Sequence, residues 1–257
     1  MSDWDAKLYS KFEKDRTQPS IDLVHSIPSN EAKLIIDIGC GIGNSTMVLK
    51  KRYNDARIIG IDSSDDMLIK AKKDYPNFEY IKLDAGKELD TLNDKYDIVF
   101  SNACIQWIPD HKSLIPKLFN LLSKNGTLAI QIPQQKKHPM SKVIQTVVNS
   151  TKWCIKFSKP RELFSLLEEE YYDVFAKLTN NFRIWETIYF HTMPSHQSIV
   201  EWYKGAGLRP YLEQLSDEDK VSFEADILDE VKKTYPVQKN GDIIFKFPRL
   251  FMLACNY

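Results

Sequence analysis

The chain has 257 residues, 43% of them hydrophobic, and its 35 basic residues are balanced by 35 acidic ones. That length admits one α/β domain with insertions or two small domains, and the apolar content suffices for a sizeable core. Zero formal charge provides no field to gather a polyanion, Cys40, Cys104, Cys154 and Cys255 have neither metal-ligand nor disulfide-framework spacing, and no apolar run reaches the ~18 residues of a membrane span. The expectation is a cytoplasmic protein with reduced thiols, no signal peptide at its acidic start, and neither nucleic acid nor membrane as partner. Oligomeric state is left open.

In chain order, residues 3–28 carry Trp4, Tyr9, Phe12 and Arg16 at mostly helical spacings. They form either an amphipathic helix packing its aromatics on the core or a lid over a ligand. The organising stretch follows. In LIIDIGCGIGNS, residues 34–45, an apolar run meets Asp37, and Gly39, Gly41 and Gly43 then lead into a helix over 45–53. An apolar run closed by glycines predicts a strand buried on both faces. Strand, glycine turn and helix open a doubly wound fold, whose ligand lies beyond the carboxyl ends of the strands.

Asn44 stands where the dinucleotide fingerprint needs a third glycine or alanine, so the pattern is D-x-G-x-G-x-G from Asp37. RIIGID (57–62) predicts strand two, ending at Asp62, the place of a ribose-binding carboxylate. Ser64 or Asp65 can cap the next helix, over 67–75, in its stead. Strand three over 78–83 ends at Asp84-Ala85, either a plain turn or an acceptor for an adenine amino group. Strand four over 96–101 opens onto Asn102, Ala103, Cys104, Ile105, Gln106 and Trp107. Asp110-His111 start a helix over 112–122, with His111 on its surface and Asn125-Gly126 as its C-terminal cap; strand five spans 127–133.

Residues 1–28 are thus read as a lid helix and 30–135 as a ligand-binding core. The glycine-free text of 136–182 is too long for a crossover and reads as an inserted helical cap, with helices over 140–152, 161–167 and 171–178. A second cap insertion covers 194–240, with helices over 194–212 and 216–235. The last two strands fall in 183–193 and 241–257, the final one interrupted at Pro248. All of this is read as one domain, 1–257.

With Asp37 and Asp62 at strand ends, the glycine turn resembles the S-adenosylmethionine site of class I methyltransferases. That resemblance implies an α/β, Rossmann-like, seven-stranded and mostly parallel sheet with helical cap insertions. Longer segments are more specific: S-D-W-D…L-Y-x-x-F…R-x-x-P (2–19), N-A-x-x-Q-W-x-P-D-H (102–111), Y-F-H-T-M-P-S-H-Q (189–197), G-L-R-P (207–210) and F-P-R-L-F (247–251) resemble the trans-aconitate methyltransferase family. The pattern departs from that family at 134–138 and in the cap helices.

The family implies methyl transfer from S-adenosylmethionine to a carboxylate of a small polycarboxylic acid. A carboxylate, with a reference pKa near ~4, is already ionised and needs no general base. No catalytic residue beyond positioning is therefore expected. The resemblance implies cofactor contacts at Tyr9, Arg16, Asp37, Gly39, Gly41, Asn44, Asp62, Ser63, Met67, Asp84, Ala85, Asn102, Ala103 and Gln106. Tyr9 and Arg16 would hold the methionine carboxylate, Arg16 in bidentate fashion. In this fold strand six is parallel to its neighbours and strand seven antiparallel, so the end of the former and the start of the latter share the ligand face. Arg209 and Arg249 are therefore the leading acceptor ligands, with Trp107, His191, His196 and Tyr203 lining the pocket. Competing readings keep the cofactor but take a malonyl-carrier or fatty-acid-like carboxylate, or bind the cofactor without transfer. A nucleic-acid methyltransferase is disfavoured by charge balance and by N-A-C-I in place of an N-P-P-Y motif.

Overall fold

The computed structural model describes residues 13–29, 31–157, 164–204 and 207–257. Its centre is a seven-stranded sheet of order β3-β2-β1-β4-β5-β7-β6. The strands are β1 (Leu34–Ile38), β2 (Arg57–Asp62), β3 (Glu79–Lys82), β4 (Tyr96–Asn102), β5 (Leu122–Pro133), β6 (Phe182–Met193) and β7 (Ile243–Cys255). Strands β1 to β5 pair in parallel, and β7 runs antiparallel to β5. Chain order reverses at β1, between β2 and β4, which is the switch point where an open α/β sheet receives its ligand.

The described chain divides into two compact units. One holds 16–133, 163–187 and 249–257, and with them the parallel strands. Ile35, Ile36, Ile38, Ile98, Val99, Phe100 and Ile130 are fully buried there, as apolar residues on both faces of a central parallel sheet must be. Its helices are α1 (Glu13–Ser26), whose first three residues fall outside it, α2 (Asn44–Arg52), α3 (Asp65–Asp74), α4 (His111–Asn120) and α6 (Glu168–Ala176). Ser64 caps α3 by accepting from Met67 N–H at 3.4 Å, so Asp62 is not the cap. Arg52, from the end of α2, donates to the carbonyls of Ile27 and Ser29 and so ties down the end of α1.

The other unit holds 13–15 and the described residues of 134–162 and 188–248. Within it α5 (Pro139–Val148), α7 (His196–Lys204), the one-turn α8 (Arg209–Leu212) and α9 (Asp217–Thr234) gather around Val143, Trp153, Ile199, Phe223, Ile227 and Val231. Trp153 Nε1 donates to Asp226 at 2.7 Å, giving a buried indole its partner.

Several expectations on residues 112–178 are corrected. The helix expected to end at Asn125-Gly126 stops at Asn120, and β5 already begins at Leu122. Asn125, with φ +65°, marks a bulge where the β4–β5 register jumps between Tyr96 and Ile98. A Cβ at Gly126 would stand 2.8 Å from the Tyr96 carbonyl. The turn residues therefore serve a kink in a strand rather than a helix end. Of the helix expected over 161–167, residues 161–163 lie outside the described residues, and 164–167 are not helical. The helix expected over 171–178 is α6, which begins at Glu168 and belongs with the sheet.

His111 begins α4 as expected, but it is buried rather than on the surface. Its Nε2 lies 2.8 Å from the Ile105 carbonyl and must donate, so Nδ1 accepts from Tyr171 Oη at 2.6 Å. Burial holds its pKa below the usual histidine value. The neutral ring thus pins the turn after β4 to α6.

Candidate cofactor site

At the switch point the backbone of β1 turns through Gly39 (φ +72°), Gly41 (φ +55°) and Gly43 (φ +91°) before α2 starts. A Cβ on Gly39 would lie 2.1 Å from Cys104 Sγ, because the ends of β1 and β4 approach there without room for a side chain. At Gly41, beyond its chain neighbours, no described residue lies within 4 Å of such a Cβ, which leaves the backbone bare toward a ligand. Gly39 and Cys40 N–H both reach the Ile61 carbonyl, at 2.8 and 2.9 Å, anchoring the turn to β2.

Asp62 closes this arrangement. Its Oδ2 accepts from Gly41 N–H at 3.0 Å and its Oδ1 from Ser64 N–H at 2.9 Å. A carboxylate has about four acceptor positions, so two remain for hydroxyl donors. Asp37 is fully buried, and its Oδ2 accepts from both Ser45 and Thr46 hydroxyls at 2.7 Å. Burial raises its pKa to about 6 against the pull of those two hydroxyls, with the nearby Asp62 charge adding a smaller push.

Three buried oxygens here have no hydrogen-bond partner among the described residues: Asp37 Oδ1, Asn102 Oδ1 and Gln106 Oε1. The Gln106 amide is oriented by its Nε2, which donates to the Ala103 carbonyl at 2.7 Å. All three atoms are acceptors. Spare acceptors at this point suit a cationic, donor-bearing ligand, and S-adenosylmethionine, with a sulfonium and an ammonium, fits that requirement.

The other expected cofactor residues are placed as follows. Ala103, with φ +53°, turns the chain at the mouth of β4. Asp84 ends the loop after β3; Lys87 lies 3.0 Å from its Oδ2 and, with the Gly86 N–H, holds its carboxyl below the usual range. Ala85 beside it is buried. Asn44 starts α2 and accepts from Tyr75 Oη at 3.3 Å, a partner the sequence did not suggest. Ser63 is exposed and Met67 half-buried at the start of α3. Tyr9 lies outside the described residues, as does the side chain of Arg16.

The expected acceptor residues divide between the units. In the sheet unit, Trp107 is 46% exposed in the turn after β4, and Arg249 is 6% exposed. Arg249 was expected at the start of the last strand. β7 begins six positions earlier, at Ile243, yet Arg249 still pairs with Pro133, the final residue of β5, and so stands at the ligand end. In the other unit, His191 and Tyr203 are buried in an aromatic cluster: His191 lies 5.0 Å from Trp202, and Tyr203 6.0 Å from Phe245, between ring centroids. Arg209, the first residue of α8, pairs with Glu213, just past its end, at 2.7 Å. His196 Nε2 donates to the Tyr235 carbonyl at 2.8 Å, which ties the start of α7 to the end of α9. Sequence reasoning missed Cys104 as the wall behind Gly39 and His138 as a buried residue. The imidazole of His138 caps α5 by accepting from Met140 N–H at 3.0 Å and stands 4.5 Å from the Phe247 ring.

The switch point, the glycine turn and the acid at the end of β2 define a class I S-adenosylmethionine-dependent methyltransferase. A methyltransferase-domain family model matches residues 29–193. The trans-aconitate 2-methyltransferase of Escherichia coli O157:H7 (strain EC4115) is 36% identical over 255 residues, covering 99% of this chain and 98% of that protein. Among solved structures, the YcgJ protein of Bacillus subtilis superposes with a TM-score of 0.58 at 13% identity, over 93% of this chain and 98% of that one. A phosphoethanolamine N-methyltransferase of Haemonchus contortus, solved with S-adenosylhomocysteine, gives 0.55 at 17% identity over 92% of this chain and 52% of that one. The chain belongs to the trans-aconitate methyltransferase family.

Proposed function

We propose that this enzyme esterifies a carboxylate of trans-aconitate, or of a closely related small polycarboxylic acid, with S-adenosylmethionine as methyl donor. The observation that carries the reading is its similarity, over 99% of its length, to a curated enzyme of that name. S-adenosylmethionine supplies a methyl on a sulfonium, whose transfer to a carboxylate oxygen leaves a neutral thioether and involves no proton transfer. Nothing in the site argues for a general base.

The chain's own contribution is binding and alignment, which can supply roughly 7–11 kcal/mol of a barrier. Asp62 accepts from the ribose hydroxyls while keeping the glycine turn in place. Gly39 and Gly41 let the backbone lie against the ligand. Asp37, Asn102 and Gln106 offer their unengaged oxygens to its cationic end, and Asp84 and Ala85 flank the base. Arg249, at the ligand end of β7, supplies the cation for an acceptor carboxylate.

The test is incubation of the purified enzyme with methyl-labelled S-adenosylmethionine and trans-aconitate, then with a panel of citrate-like acids, malonyl-carrier protein and fatty acids. A base-labile methyl ester of trans-aconitate is expected, and its loss in Arg249→Gln through a raised KM. Arg209→Gln, His191→Ala and Tyr203→Phe enter the same assay separately. Transfer to a carrier or a fatty acid in preference to the tricarboxylates would overturn the reading.

A further inference from the structure

β5 carries a residue the cofactor site does not use. Gln131 interrupts the otherwise apolar end of TLAIQIP, is fully buried, and has neither Oε1 nor Nε2 hydrogen-bonded among the described residues. Its backbone is engaged, since the Gln131 carbonyl accepts from Ala103 N–H at 2.8 Å. Leaving a buried amide unsatisfied is destabilising. A core position that needed only volume would carry leucine or methionine at no such cost.

The register says where that amide points. Gln131 pairs with Asn102 of β4 on one side and Phe251 of β7 on the other. Residues in register on neighbouring strands share a face, so these three stand side by side. Two positions earlier in each strand are Phe100 and Ala129, and Phe100 is in register with Asp37. Gln131 therefore lies on the Asp37 face, one residue pair nearer the ligand end. It is two strands from β1, about 10 Å across the sheet, on the far side of β4 from the glycine turn and Asp62. Phe251, stacked on Trp185 at 5.1 Å, makes the flank away from the cofactor apolar and dry. A further buried hydroxyl without a partner among the described residues, Ser20 Oγ, belongs to this same unit in α1.

We infer that Gln131 is an acceptor-binding residue. Its carboxamide Nε2 donates to a carboxylate of the acid being methylated, beside Asn102 at the mouth of β4 and β5. This deepens the proposed function and rests on it. The Asp37, Asn102 and Gln106 oxygens face the cofactor's cation as acceptors, whereas Gln131 brings a donor, the group an anion requires.

The experiment compares the parent enzyme with Gln131→Leu, Gln131→Glu and the near-isosteric Gln131→Met. Calorimetry reads the Kd of S-adenosylhomocysteine, and steady-state kinetics read KM and kcat for trans-aconitate. Leu and Met should raise KM by about 10–100-fold, leave Kd within about twofold, and keep the melting temperature or raise it. Glu, placing a like charge beside the acceptor, should raise KM further, with partial recovery on acidification as the buried glutamate takes up a proton. Should Leu misfold, Met and Glu carry the comparison. An active parent whose variants keep KM, or whose variants lose cofactor affinity in step with KM, overturns this inference and leaves the proposed function standing. A parent that methylates no acid overturns both.

Discussion

Asp62 Oδ2 accepts the Gly41 N–H at 3.0 Å, so the acid that ends β2 also fixes the turn that follows β1. One side chain thereby clamps the glycine backbone and, in the proposed function, also accepts from the ribose. Asp62→Ala should raise the Kd for S-adenosylhomocysteine by about 10–100-fold, the loss of one to two hydrogen bonds to a charged group. Asp62→Asn, which keeps one acceptor, should fall between. Calorimetry at fixed pH checks both, and an unchanged Kd in the alanine variant would remove Asp62 from the site.

The contact between Gly39 and Cys104 gives a sharper case. Gly39→Ala sets a methyl 2.1 Å from Cys104 Sγ and 2.4 Å from its Cβ. It also imposes the ~1–2 kcal/mol cost of a left-handed alanine. Cofactor affinity should be lost. Cys104→Ala leaves the Cβ contact and should not restore it, whereas Cys104→Gly should restore part of it, the backbone penalty remaining. Equal failure of both double variants would mean that the φ of Gly39, rather than space, is what matters.

Asp37 predicts a pH dependence with a definite sign. Its folded-state pKa, about 6, lies above the ordinary 3.8. The folded protein therefore holds this proton more tightly than the unfolded chain does. The stabilisation is complete below the ordinary value and is lost as pH rises through about 6. A bound cation reverses the preference by favouring the ionised form. S-adenosylmethionine affinity should thus fall by up to about tenfold per pH unit as the solution is acidified below pH ~6. Asp37→Asn should flatten both curves, weaken cofactor binding, and stabilise the ligand-free protein at neutral pH. Paired melting and calorimetric titrations between pH ~4.5 and ~8 would show it.

The His111–Tyr171 bond is expected to matter for stability alone. Tyr171→Phe leaves a buried imidazole nitrogen without its donor and should cost about 1–3 kcal/mol by chemical denaturation, with KM for both substrates unchanged. A change in KM without loss of stability would bring His111 into the reaction.

The residues that form the candidate cofactor site were legible because their signal is local. An apolar run, an acid and alternating glycines state a strand, a turn and a ligand approach within a dozen residues, and Asp62 repeats the logic one βα unit later. Backbone φ at Gly39 and Gly41 is a property of those residues, so reading them in sequence amounts to reading the turn. Asn125-Gly126 shows the limit: the same turn chemistry serves a helix cap or a strand bulge, and only the pairing of β5 with β4 and β7 decides between them.

The sequence by itself determined the strand order's starting point, the glycine turn, the two acids and the class of ligand, because each follows from backbone sterics or charge within a short segment. Tertiary structure alone decided that His111 is buried, that His196 is engaged by the Tyr235 carbonyl, and that the Gln131 side chain, beside Asn102, has no partner among the described residues. Those facts depend on which distant strands and helices come into register, and hydrogen-bond satisfaction in a core is a property of neighbours rather than of the residue that needs them.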